Sequence, residues 1–374
     1  MALKAYKYRF YPTDDQRQLL ARTFGCVRYV WNWALATRSA AYKDQKESLN
    51  YNDLSGALSI LKKDPQTEWL SEVSAVPLQQ TLRHQEQAFR NFFEKRAGYP
   101  QFKKRHNRQS ATYVSTAFSW KEGQLKLAKM NQPLDIRWSR SFEGTPTTVI
   151  VTKDPADRYF ISFRVEEAVE EKPMTPHRVG MDLGLTDLVV LSTGEKVGHP
   201  QFFRKDQARL AKAQRRLAKK RRGSMNRAKA RKKVARIHAR IADKRQDFLH
   251  KLTSRIIDEN QVVCAESLRV KNMVKNRHLA KSILDAGWSE LVRQLAYKAE
   301  WYGRTFVQID PFFPSTKTCQ HCNHVVDTLP LHIRTWTCPG CAAVHDRDVN
   351  AANTVLAAGL AVSACGEAVS PLRA

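Results

Sequence analysis

Two cysteine pairs and the short acidic block behind them carry the most specific chemistry in this chain. Cys319-Gln-His-Cys322 is followed, fifteen residues later, by Cys338-Pro-Gly-Cys341. Two CxxC knuckles at this separation fit a tetrahedral Zn²⁺ held by four thiolates. Four protein ligands leave no open position, so such a metal is structural. His321, His324, His332 and His345 are rival ligands, each needing a thiolate to be replaced, and redox chemistry at the pairs is a more distant reading. Just beyond Cys341 runs His345-Asp346-Arg347-Asp348-Val349-Asn350, with Asp348 placed for the first turn of a helix and His345 and Asp346 as capping candidates.

A carboxylate beside a structural metal directs attention to other acids in unusual settings. Asp182 interrupts an apolar strand, Arg178 to Gly184, and Glu266 ends another, Asn260 to Ala265. Each has an ordinary explanation: a strand end for Glu266, and for Asp348 the favourable field at a helix N-terminus. As a set, Asp182, Glu266 and Asp348 offer hard oxygen ligands for Mg²⁺ or Mn²⁺. Phosphodiester hydrolysis by two such ions, about 4 Å apart, needs that donor set. Asp187, after the Gly184 turn, is the nearest competitor and reads as a turn residue bonded locally. Asn350 is a candidate brace for Asp348 or the nearby backbone.

The elements that must position these groups follow from periodicity. Leu3 to Tyr11 alternates, with Tyr6, Tyr8 and Phe10 on one face and Lys7 and Arg9 on the other. Thr13 and Gln16 form a capping-box pattern, and Leu19 to Leu35 repeats at helical spacing with a break expected at Gly25. Helices continue from Asn50 to Lys95. Gly98 to Arg108, including Arg105, is basic with interleaved aromatics and reads either as a phosphate-contacting, base-stacking loop or as a solvated linker. Five short strands are expected at Ala111–Phe118, Gln124–Lys129, Leu134–Trp138, Thr147–Lys153 and Tyr159–Val165. With the first strand they would close a small barrel, and Glu166 to Pro176 would be the linker.

Beyond the linker, Arg178–Gly184, Asp187–Leu191 and a third short strand after Ser192–Lys196 make an antiparallel meander. An Asp in its first strand opens a ribonuclease H-like fold. Residues 204 to 258 are expected as two long helices broken at Gly223-Ser224. They are densely basic, with Arg215, Arg216, Lys219, Lys220, Arg221, Arg222, Lys232 and Lys233 as phosphate-contact candidates. The stripe Val234, Ile237, Ile241, Phe248, Leu252 and Ile256 marks the second as folded. A helix from Asp285 to Tyr302, a strand from Arg304 to Ile309, the cysteine insert and a last helix complete the order. The stretch after Gly359 has little pattern.

The 374 residues suffice for two or three domains. Lys+Arg 63 against Asp+Glu 36 gives a formal charge of +27, which favours a polyanionic partner. No apolar run, lipidation motif or basic amphipathic anchor points to a membrane. No signal-peptide pattern opens the chain, so a cytoplasmic location is expected. Cys26, Cys264 and Cys365 are scattered, which is not a disulfide framework.

These residues together resemble the OrfB/TnpB proteins of insertion sequences, relatives of the type V CRISPR effector nucleases. The likeness rests on Tyr8-Arg-Phe-Tyr-Pro12, Arg28-Tyr-Val-Trp-Asn32, Tyr99-Pro-Gln-Phe-Lys-Lys-Arg105, Gly180-Met-Asp-Leu-Gly184, Ala265-Glu-Ser-Leu268, the cysteine pairs and Asp346-Arg-Asp-Val-Asn-Ala-Ala352. Ser267 stands where the family often has Asp. The resemblance implies an α/β multidomain protein. A wedge or OB-like β-barrel (1–12 and 110–170) would carry an inserted helical recognition bundle (13–109). A RuvC-like nuclease domain (176–315 and 346–358) would carry the basic hairpin and an inserted zinc ribbon (316–345), and 359–374 would be a tail. It further implies an RNA-guided DNA endonuclease with Asp182, Glu266 and Asp348 as metal-binding acids. Its partners would be a guide RNA from the transposon end and double-stranded target DNA beside a short motif. A strand-transfer transposase or a guided DNA-binding regulator is the alternative.

Overall fold

The computed structural model describes residues 2–364, and the chain divides into two compact units, one ending at Ala168 and the other starting at Val169. In the first unit β1 (Ala2–Phe10) is followed by α1 (Asp14–Gln45), α2 (Tyr51–Leu61) and α3 (Ala75–Phe93). Then come β2 (Gln109–Val114), β3 (Phe118–Lys121), β4 (Gln124–Leu127), β5 (Ile136–Arg137), β6 (Thr148–Lys153) and β7 (Tyr159–Glu167). The three helices are therefore inserted between the first two strands.

The alternation in β1 buries Tyr8 and Phe10, and the strand pairs antiparallel with β7 along its full length, from Ala2↔Glu167 to Phe10↔Tyr159. Glu166 and Glu167 thus belong to a strand and not to the linker, because their backbones complete the ladder to Leu3 and Ala2. The sheet order is β2-β6-β7-β1-β5, with β3 and β4 as a separate hairpin. Instead of closing into the expected barrel by strand pairing, the ladder ends at β2 and β5, which are not paired to each other; β5 is only two residues long.

Thr13 and Gln16 do form the capping box of α1. The expected break at Gly25 is absent. A glycine inside a helix costs about 1 kcal/mol, and burial of Leu20, Phe24, Val27 and Val30 around it outweighs that.

The second unit opens with β8 (Arg178–Asp182), β9 (Asp187–Leu191) and β10 (Lys196–Gly198), then α4 (Phe202–Ala218), α5 (Met225–Glu259) and β11 (Val262–Ala265). It continues through α6 (Val270–Met273), α7 (Ala280–Ala286), α8 (Trp288–Trp301), β12 (Thr305–Gln308), β13 (Thr335–Thr337), β14 (Val344–Asp346) and α9 (Arg347–Ala364). The sheet runs β10-β9-β8-β11-β12. The meander β8-β9-β10 is antiparallel and β11 is parallel to both β8 and β12.

Successive side chains alternate faces along each strand. Val179, Met181, Val263 and Ala265 share one core with Leu249, Leu252, Leu291 and Leu295 from α5 and α8. Cys264 and Val307 point the other way, into a core with Val355 of α9. Two glycines make that second packing close. A Cβ at Gly180 would stand 2.1 Å from the Ala352 carbonyl oxygen, and one at Gly359 2.4 Å from Cys264 Sγ. The backbone of α9 therefore lies directly on β8 and β11.

Two expectations in this unit are corrected. The helix expected from Asp285 to Tyr302 is two helices meeting at Gly287, whose left-handed conformation (φ +72°) ends α7 with its amide on the Ile283 carbonyl; buried Asp285 accepts from the Phe203 amide and from Arg245. The stretch after Gly359 remains helical to Ala364; the rest of the expected tail, with Cys365, lies outside the described residues.

Candidate metal centre

Asp182 and Glu266 are brought together by strand register. β8 and β11 run parallel with Met181 opposite Ala265, so the next residue of each chain, Asp182 and Glu266, leaves the sheet at the same edge. Both share the parity of Gly180 and Cys264, the face that α9 covers. Asp348 lies one turn before Ala352, whose carbonyl sits over Gly180, so α9 carries its first-turn acid to the same end of the sheet.

The electrostatics report that convergence. Burial pushes the Asp182 carboxyl far above the ordinary carboxylate range, and the charges of Glu266 and then Asp348 push it further, against the opposing pull of Arg347 and Arg334. Glu266 is also raised by burial, opposed by a hydrogen bond from Ser315. Like charges crowded into a poorly solvated site are costly without a cation, which is the electrostatic pattern of a divalent-metal site.

Glu266 and Asp348 are each held by a neighbour that spacing did not reveal. Buried Ser315 donates from Oγ to Glu266 Oε1 at 2.6 Å, and its own carbonyl accepts from Thr354 of α9. Arg334 places Nη1 at 3.2 and 3.4 Å from the two oxygens of Asp348, and its carbonyl accepts from the Arg347 amide at 2.8 Å. Asp346 caps α9, accepting from the amides of Asp348 and Val349, and is paired with Lys196 at 2.6 Å. Asp346 thus has the capping role expected of it. His345 does not cap: it is buried with Nε2 at 3.1 Å from Cys319 Sγ.

The four cysteines form the tighter cluster. Their sulfurs all lie within 4.8 Å of one another, the one group of three or more potential ligands that does so among the described residues. Cys319–Cys341 and Cys322–Cys338 are 3.7 and 3.6 Å apart. Four thiolates at about 2.3 Å from a tetrahedral Zn²⁺ require edges of just under 4 Å, so the donor set fits that ion. The three acids stand wider, as ligands shared between two ions would. Asn350 joins the two sites: Nδ2 donates to the Thr318 carbonyl at 2.7 Å and Oδ1 accepts from the Gln320 amide at 3.0 Å, both in the first knuckle. Asn350 therefore braces backbone rather than Asp348.

The nucleic-acid candidates divide. The loop containing Arg105 is strapped to α1 and is no free linker. Trp31 Nε1 donates to the Gln101 carbonyl, and the Asn32 amide exchanges two hydrogen bonds with the Lys103 backbone. Lys103 lies 4.0 Å over the Trp31 ring, and burial pushes its pKa down to about 8. Arg105 itself is exposed. Arg215 and Arg216 are exposed on α4. Lys219, Lys220, Arg221 and Arg222 cluster at the turn between α4 and α5, and Lys232 and Lys233 lie on α5, Lys232 half-buried. No helix among the described residues is long and apolar enough to cross a membrane.

Three family models match the chain: one described as "Probable transposase" over residues 161–277, a "Cas12f1-like, TNB domain" over 288–355 and a "Helix-turn-helix domain" over 1–47. The last region is a strand and one continuous helix here. A "Putative RNA-guided DNA endonuclease" of Streptomyces pristinaespiralis is 55% identical over 373 residues, 99% of this chain and 92% of that protein. The "Putative RNA-guided DNA endonuclease InsQ" of Escherichia coli K12 is 33% identical over 98% of this chain and 95% of its own length. Among solved structures, the protein in a cryo-EM Cas12f1–sgRNA–target DNA complex superposes with a TM-score of 0.56 at 14% identity, covering 92% of this chain and 83% of that one. That likeness is one of fold.

Proposed function

The chain belongs to the OrfB/TnpB family, and on that premise we propose that it is a transposon-encoded, RNA-guided DNA endonuclease acting in the bacterial cytoplasm. Its partners are a guide RNA from the transposon end and double-stranded DNA carrying a short adjacent motif. Base pairing then supplies the long sequence choice while the protein holds shape and backbone, and the +27 charge suits a protein that handles several polyanions at once.

The observation that carries the reading is the meeting of Asp182, Glu266 and Asp348 at one strand end beneath α9. These three would hold Mg²⁺ or Mn²⁺, and such ions, when bound, supply an activated water and stabilise the leaving oxygen. Ser315 fixes the Glu266 carboxylate by occupying one of its oxygens. Arg334 holds the Asp348 side chain and adds a positive charge where a phosphodiester would arrive. The Lys196–Asp346 pair fixes the start of α9 and with it the position of Asp348. Zn²⁺ in the four-cysteine cluster would hold the insert that supplies Arg334. The assignments of the first unit as a wedge domain with an inserted helical bundle and of the second as a RuvC-like nuclease domain belong to the same reading.

The test is the purified protein with its co-purifying RNA. One RNA species from the transposon end is expected on sequencing. Asp182→Ala should keep guided DNA binding and lose cleavage; an Asp182→Ala protein that no longer binds RNA would remove the assignment. The transposase description of the matching family model supports a second reading, strand transfer by the same acids. Joined products from donor ends without any guide would favour it.

A further inference from the structure

The second unit contains a cleft of about 580 Å³ between α4 and α5, lined by none of the three carboxylates. The two helices pack through Leu210, Ile237 and Ile241, with Ala213 and Val234 beside them. One wall of the cleft carries Arg209, Lys212 and Arg216; the other carries Lys233, Arg236 and Arg240. Each triple has the spacing i, i+3, i+7, which aligns three side chains along one helical face. All six are exposed, over a floor that includes Ala213, Ala230 and Ile237.

The arrangement opposes helix stability, since like charges at this spacing repel. No Asp or Glu occurs between Asp206 and Asp243, so relief is limited to the row ends: Asp206 lies 3.9 Å from Arg209 and Asp243 follows three residues after Arg240. Farther along α5 the charges are paired: Arg245 with Asp285, Lys251 with Asp247, Arg255 with Glu195. Within the cleft, Lys212, Arg216, Lys233 and Arg236 have no acidic residue one turn away on their own helix.

Its dimensions select the ligand. Seven residues of helix span about 10 Å, which matches about three phosphates at roughly 3.4 Å of rise each. Packed helices lie about 8–10 Å apart, too close to straddle a duplex whose major groove alone is about 12 Å wide. No aromatic residue lines the cleft, so base stacking is not available there.

We propose that the α4/α5 cleft is a sequence-neutral track for one phosphodiester strand, held by Arg209, Lys212 and Arg216 on one side and Lys233, Arg236 and Arg240 on the other. The inference rests on the reading of the chain as a nucleic-acid enzyme and places the main contact in the cleft instead of the Lys219–Arg222 turn, where charge is densest in the sequence.

The test is the salt dependence of binding by the full chain, read by fluorescence anisotropy with two probes, its co-purifying RNA and a random-sequence DNA single strand. Lys233→Gln/Arg236→Gln/Arg240→Gln should lower the slope of log K against log salt by about 2, at roughly 0.7 per lost single-strand contact. A variant with Lys219, Lys220, Arg221 and Arg222 all changed to Gln should lower it less. A fall confined to the RNA probe assigns the track to the guide, one confined to DNA assigns it to the target, and either supports it. An unchanged slope, or an equal fall in the turn variant, overturns it. If the triple variant does not fold, Arg236→Gln alone should shift the slope by about 0.7. Cleavage is scored separately: wild-type protein that never cuts while the slopes fall as expected sinks the endonuclease reading and leaves the track standing, and the converse sinks only the track.

Discussion

The start of α9 separates two clusters built on opposite plans. On the ribbon side, four sulfurs from two knuckles close on one another within 4.8 Å. On the sheet side, three carboxylates come from β8, the end of β11 and the helix itself, and burial and mutual repulsion raise the Asp182 carboxyl. The sulfur set fits a closed tetrahedron with no vacant ligand position. The carboxylate set is open, under strain, and held in place by neighbours that are not themselves acids. The sulfur set is built from two short local knuckles, whereas the carboxylate set draws on three chain segments far apart in sequence.

Breaking the sulfur cluster should have the largest effect. The ribbon core is small, with Cys319, Trp336 and Cys338 buried and Val326, Leu329 and Ile333 only partly so. Metal binding in comparable zinc modules contributes about 10–16 kcal/mol. Cys338→Ser, or a strong chelator, should therefore unfold the insert and abolish cleavage while the core of α5, α8 and the sheet persists. Hydrogen exchange of the two regions would show it, and intact-mass measurement should find one zinc per wild-type chain. Retained ribbon protection without zinc would contradict the closed-cluster view.

Ser315→Ala probes how the open cluster is held. Removing a hydrogen bond to a buried carboxylate costs about 1.5–3 kcal/mol, so the Mn²⁺ concentration giving half-maximal binding, followed by electron paramagnetic resonance, should rise about tenfold or more. Ser315→Thr should restore part of it. An unmoved midpoint would mean that Glu266 needs no support.

The smallest effect has the opposite sign. A buried carboxyl raised above its unfolded pKa binds protons more tightly in the native state. The metal-free protein therefore loses stability as pH rises above about 4, up to the raised native value. Asp182→Asn removes that penalty, and the melting temperature of the metal-free protein at neutral pH should rise by about 2–4 °C for each kcal/mol relieved. A fall would show that Asp182 is structural.

How much of this was legible depended on distance along the chain. The cysteines are separated by short, regular intervals and needed no fold to be read. Asp182 and Glu266 were visible because a charge at the end of an apolar strand stands out, and their adjacency follows from parallel pairing. Ser315 and Arg334 carried no such signal: one lies in a loop after β12, the other in the insert, and only folding brings them to the acids. In the basic hairpin, charge density alone singles out Arg215, Arg216, Lys219–Arg222, Lys232 and Lys233, of which only Arg216 and Lys233 line the cleft. The i, i+3, i+7 spacing of Arg209, Lys212 and Arg216 was present all along but is diluted by neighbouring cations. The weak local penalty at Gly25 is visible in the sequence, but the packing around it that keeps α1 continuous is not.

The close seating of α9 on Gly180 and Gly359 also bears on synthesis. Domains assemble as the polypeptide leaves the ribosome, N-terminal portions first. Until residues beyond 348 have emerged, the sheet has two of its acids, lacks the third and lacks the helix that lies across them. On the proposed role of the three acids, a half-translated copy could not yet cut the DNA around it, and the capacity to cut would arise in one late step.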